Sequence, residues 1–131
     1  MKSKYSFVCE AANISSSGNL NAFGIFQSIN IRSFPFGIPR MFYVAGIQFH
    51  RSETGRHGFS VNFIDDDGRS IVPPLEREVV MYENRYFANL LVELENTQFH
   101  KPGTYQVNLM INNQPIAANT IRVFQIPPEP V

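Results

Sequence analysis

Tryptophan is absent from this chain, cysteine occurs once, and positive and negative side chains cancel at 11 each. Each shortage closes a class of explanation. With Cys9 alone no internal disulfide forms, so the chain is not a stapled secreted miniature. Balanced charge supplies no basic field to displace counterions from a phosphate backbone, which argues against nucleic acid as a partner. No run approaches the roughly 18 apolar residues of a spanning helix, and no basic amphipathic segment suits an anionic membrane. The opening MKSKYSFVCE has Lys2 and Lys4, but Glu10 ends its apolar run short of the roughly 7–15 residues a secretory signal needs. The expectation is a cytoplasmic protein in a reducing compartment, bound to neither nucleic acid nor membrane.

The common catalytic signatures are missing as well. There is no Gly-x-Gly-x-x-Gly, no Walker sequence and no Gly-x-Ser-x-Gly elbow around the serines of ISSSGN. Cys9 lies on the same strand face as Tyr5 and Phe7, which favours burial as a small hydrophobe over reactivity. No catalytic residue and no cofactor is expected, and the chain reads as a protein other than an enzyme.

What is present is apolar and extended. The 131 residues are 44% hydrophobic and 17% charged, with twelve Phe and five Tyr. That suits one domain over 1–131, able to bury a core without metals, with a short proline-rich tail at 127–131. Period-2 alternation is the recurrent signal. Tyr105, Val107, Leu109 and Ile111 alternate with Gln106, Asn108, Met110 and Asn112, and Phe59, Val61 and Phe63 alternate with Ser60 and Asn62. RMFYVAGIQFH and HGFSVNFID read as the arms of a hairpin around RSETGR. Asp-Gly in DDDGRS predicts a type I′ turn leading to a short strand SIV, and NNQP turns the chain again. Gly24, within LNAFGIF, marks a bulge or a close backbone approach. Residues 86–96 are compatible with strand or helix; strand is preferred, with Ala88, Leu90, Val92 and Leu94 inward and Leu91 out of step. The fold expected is all-β: an antiparallel sandwich of seven or eight strands with little or no helix.

PGTY, at Pro102, Gly103 and Tyr105, resembles the corner of immunoglobulin-like sandwiches, in which the tyrosine bonds back to upstream backbone. More widely, Cys9-Glu10, Gly18-Asn19-Leu20-Asn21, Gly24-Ile25-Phe26, Phe34-Pro35, the Asp-rich turn ending in Gly68 and Pro102-Gly103-Thr104-Tyr105 form a series. That series resembles a family of small bacterial β-sandwich proteins of unknown function. Glu10 stands where that pattern carries aspartate. The resemblance implies a fold and no activity.

Three groups of residues are candidates for a site. Asp65, Asp66 and Asp67 gather carboxylates of the kind that bind Ca²⁺, but Asp-Gly also serves a turn for backbone reasons alone. A sugar- or lipid-binding sandwich with calcium at Asp65 to Gly68 is the alternative this leaves open. His50 and His57 bracket a loop and His100 stands apart, too few ligands for zinc. In SFPFGIPRMFYV, Phe34, Phe36, Ile38 and Arg40 either cap the core on a sheet-to-sheet connector or present a surface to a protein partner. The function expected is a protein-interaction or structural module, joined to another protein or to itself through an edge strand or this segment.

Overall fold

The structure, a computed structural model, describes residues 1–128. It holds nine strands: β1 (Lys2–Ile14), β2 (Leu20–Phe26), β3 (Ser28–Ile31), β4 (Phe36–Gln48), β5 (Gly55–Ile64), β6 (Leu75–Met81), β7 (Phe87–Phe99), β8 (Gly103–Ile111) and β9 (Gln114–Gln125). A 3₁₀ turn at Arg51–Glu53 is the only helical piece among the described residues. Two sheets face each other, one ordered β2-β1-β4-β7 and the other β3-β9-β8-β5-β6. The sequence expectation of an all-β sandwich stands, with two refinements. There are more than eight strands, and β3 runs parallel to β9 in otherwise antiparallel sheets. The tail expected at 127–131 lies, from residue 129, outside the described residues.

The core follows from alternation. Phe59, Val61 and Phe63 of β5, Tyr105, Val107, Leu109 and Ile111 of β8, and Ile121 and Val123 of β9 point inward from one sheet. Met41, Tyr43, Ala45 and Ile47 of β4 and Leu90, Val92 and Leu94 of β7 meet them. The ambiguous 86–96 segment is therefore strand, paired along β4 from Gln48↔Phe87 to Phe36↔Phe99. Leu91 is out of step because it belongs to a second cluster with Cys9, Phe42 and Val44. β4 is thus apolar on both faces, as its unbroken run MFYVAGI requires.

Several local expectations are corrected. β4 and β5 do not form a hairpin, since they lie in different sheets. The 3₁₀ turn redirects the chain, stabilised by a capping box in which Glu53 accepts from the His50 amide at 2.6 Å. The Asp-Gly turn is not type I′, because only Gly68 takes positive φ (77°). It is a tight turn closed by Gly68 N–H to Asp65 C=O, followed by a glycine bulge. The type I′ geometry falls instead on Asn112 and Asn113, at φ 52° and 64°, between β8 and β9. SIV contributes one bridge, Ile64↔Ser70, and no strand. The Tyr5–Phe7–Cys9 row faces away from the core, while Val8 points in and the inward Ser6 is satisfied by Asn119 of β9.

Candidate functional site

The acidic turn and the PGTY corner prove to be one assembly. Asp65 Oδ1 accepts the amides of Asp67 and Arg69, both at 2.9 Å. Those backbone donors, Arg69 first, hold the Asp65 carboxyl below the ordinary aspartate range. Asp66 Oδ1 accepts from the Thr104 amide at 3.0 Å, and its other oxygen lies where a side chain at Gly103 would begin. Asp67 pairs with Lys101 at 3.1 Å. The Tyr105 hydroxyl donates to the Lys101 carbonyl at 2.6 Å, and its ring meets Phe99 edge-on at 5.1 Å. The three carboxylates reach three separate protein partners, so they diverge instead of converging on a common point. Among the described residues no three His, Cys, Asp or Glu side chains form a metal-holding group.

The histidines are likewise occupied locally. His50 accepts the Ser52 amide on the 3₁₀ turn. His57 is buried. Its Nε2–H donates to the Glu53 carbonyl at 2.7 Å, which leaves Nδ1 to accept from Asn112 at 2.8 Å. It therefore ties two loops together. His100 is exposed. Cys9 is fully buried, and that burial raises its thiol above the ordinary cysteine range. Tyr43, buried between the sheets, is pushed up to about 12 by desolvation; Ser6 opposes this only in part, being already turned to Asn119.

The Phe-Pro stretch behaves differently. Residues 32–35, with a cis Phe34–Pro35 peptide, carry the chain from β3 in one sheet to β4 in the other. Phe34 and Ile38 are half-buried against the core, whereas Phe36 is 42% exposed and Arg40 is exposed. Arg40 is held by Glu93 at 2.5 Å and lies 5.2 Å above the Phe42 ring.

Beside this segment the four-stranded sheet forks. β1 pairs with β4 as far as Cys9↔Phe42 and no further. Past that rung, residues 11–14 of β1 pair only with β2, and residues 36–38, 40 and 41 of β4 pair only with β7, among the described residues. A groove of about 440 Å³ occupies the fork, walled by residues 36–41 of β4, Ser28, Ile29 and Asn30 of β3, and Phe26 and Glu10. A strand that shows its face to a cavity lines it with alternate residues. Here consecutive residues line it, so β3 and β4 present their edges. Among the described residues β3 has one strand partner, β9, on one side. Two unpaired edges thus flank an apolar floor. Glu10 lies across Gly24, whose φ of 65° and close approach to the carboxylate exclude a side chain there. The Glu10 carboxylate has no ion pair or hydrogen bond among the described residues.

Phe36, Ile38 and Arg40 are therefore brought to one groove, and half-buried Phe34 to the connector beside it. Sequence reasoning missed Glu10, Phe26 and Ile29; the signal that marks them is Gly24, read as a close approach without its partner. A larger depression of about 570 Å³ lies on the outer surface of the five-stranded sheet, between Glu76, Arg77, Glu78, Asn112 and Asn113. Its walls are charged side chains on paired strands, without the free edges of the fork.

The model of a family of unknown function, DUF6941, matches residues 4–124, and the chain belongs to that family. No curated protein matches the sequence. Among solved structures, the chain is similar to a Pseudomonas fluorescens alkylpurine DNA glycosylase, AlkC, bound to DNA containing an abasic site analog, at 8% identity and a TM-score of 0.46. The likeness covers 91% of this chain and 30% of the glycosylase chain.

Proposed function

We propose that this member of DUF6941 is a non-enzymatic protein-interaction module, and that its forked groove accepts an extended segment of a protein partner as an added strand. The observation that carries the reading is the pair of unpaired edges, β3 and residues 36–41 of β4, on either side of an apolar floor. Strand addition draws affinity from backbone hydrogen bonds and specificity from pockets for alternate side chains. Phe26, Ile29, Phe36 and Ile38 suit apolar side chains on the incoming segment, and the unpartnered Glu10 favours a Lys or Arg beside them. The buried, raised Cys9 thiol is a poor nucleophile, which supports the non-enzymatic part of the reading. A reducing cytoplasm of a bacterium is the setting that accompanies it.

The test is selection of short extended peptides from a displayed library, followed by calorimetry and amide hydrogen exchange. Selected peptides are expected to alternate apolar residues around a basic one. They should protect amides of β3 and of residues 36–41, and lose affinity at least tenfold against Phe36→Glu or Glu10→Lys while the fold persists. Peptides that bind equally well to both variants, or protection confined to other strands, would refute the proposal.

A further inference from the structure

The two outer faces of the sandwich are unlike. That of the five-stranded sheet is mostly polar: opposite the inward Phe59, Val61 and Phe63, β5 turns Ser60 and Asn62 outward, beside Met110 and Asn108 of β8. That of the four-stranded sheet is apolar. Phe7, Val44 and Leu91 form one row across β1, β4 and β7, with Cys9 and Phe42 in the next row. On the other side stands Tyr5, its ring 6.1 Å from those of Phe7 and Phe87. Every member of this outer cluster comes from the sheet itself, and Tyr5 and Phe87 are left 36% and 41% exposed. A strand apolar on both faces is suited to lie between two layers, and among the described residues β4 has one.

We infer that this face is an interface between two copies of the chain, packed sheet on sheet about a two-fold axis that runs across the strands along the row Phe7–Val44–Leu91. Its extent suits a dimer. Strands about 4.8 Å apart, rising about 3.4 Å per residue from Tyr5 to Ala12, give a face on the order of 400 Å². A standard interface takes about 800 Å² from each partner, a little over half of it apolar. The occupant is a second copy because the two ends of the face carry complementary charge. The Tyr5 end has Lys2, Lys4 and Arg85 against Glu83, and the Cys9 end has Glu93 and Glu95 against Arg40, which Glu93 already holds. Lys4, Arg85 and Glu95 are exposed and have no ion pair among the described residues. The axis exchanges the ends, so Arg85 of each copy is brought toward Glu95 of the other, and Tyr5 toward Phe42. A two-fold makes each of these contacts twice, whereas like ends set together would repel.

The experiment is sedimentation equilibrium over a wide dilution series, with circular dichroism to follow the fold. It compares the whole chain with Leu91→Lys, Asn108→Lys, Glu95→Lys and the double variant Arg85→Glu/Glu95→Lys. The wild type and Asn108→Lys, altered on the polar outer face, are expected at twice the chain mass, falling to the chain mass on dilution. Leu91→Lys sets two ammonium groups together at the axis and is expected at the chain mass throughout. Glu95→Lys is expected to weaken the dimer roughly tenfold, and Arg85→Glu in the same chain to restore it. Should Leu91→Lys fail to fold, the charge exchange, made at exposed positions, carries the test. A wild type at the chain mass at every concentration, a dimer that survives Leu91→Lys, or a double variant no tighter than Glu95→Lys would each overturn the inference. A dimer lost in a folded Asn108→Lys would move the contact to the opposite face and overturn it too.

Discussion

The corner built from Asp65 to Gly68 and Lys101 to Tyr105, and the fork between β3 and β4, sit on the same scaffold and are opposites in one respect. At the corner, the carboxylates, the lysine and the tyrosine hydroxyl all have protein partners. At the fork, strand edges and the Glu10 carboxylate are left without them. The corner is the more conspicuous region in the sequence and serves stability. The fork is composed of residues that look like ordinary strand and is the region open to something else. A motif of turn residues announces where backbone must be satisfied, and a binding edge is by its nature where it is not.

That contrast is testable first in the core beneath the corner. Phe63 is fully buried and meets Phe99 and Tyr105 edge-on. Phe63→Ala is expected to cost about 3–5 kcal/mol in urea unfolding, by lost transfer energy and the cavity it leaves. Phe36→Ala, at an exposed position of the fork, is expected to change the same measurement by less than about 1 kcal/mol. Equal losses would erase the distinction between the regions. Next, Tyr105→Phe removes the bond to Lys101 with little change in shape and should cost about 1 kcal/mol.

The smallest effect is acid sensitivity. The folded-state carboxyl of Asp65 is held low, so its contribution is complete above about pH 4, the ordinary aspartate value, and is lost as pH falls through the depressed folded value. Below that pH the wild-type urea midpoint should fall more steeply than that of Asp65→Asn. Parallel slopes would mean that the turn amides are not coupled to this charge.

Strand identity was legible wherever one face is apolar and the other polar, as along Tyr105 to Asn112 and Phe59 to Phe63. It was misread wherever both faces are apolar. Tyr5, Phe7 and Cys9 look like the core face because nothing local records that Val8, on the other face of the same strand, points into the core, or that Ser6 has Asn119 waiting inside. RSETGR looked like a hairpin loop because its composition is right for one. Only long-range pairing, β4 with β1 and β7 and β5 with β6 and β8, puts the strands on either side of that loop in different sheets. Asp-Gly predicts a type I′ turn, yet the aspartate side chains are committed to other backbone, and the two asparagines of NNQP take the left-handed conformations instead. In the candidate site, Phe36, Ile38 and Arg40 were named from chemistry, whereas Glu10 and Ile29 needed the register. Where a ladder stops is set by long-range pairing, and no local pattern encodes it.

The last rung joining β1 to β4, Cys9↔Phe42, has a mechanical consequence. Beyond it the β1–β2 hairpin has no ladder to β4 and is held to that strand by side chains alone, Ala12, Leu20 and Ala22 packing against the cluster of Cys9, Phe42 and Val44. That hairpin borders the groove through Glu10 and carries the exposed β2 edge, so two unlike surfaces rest on one small patch of packing.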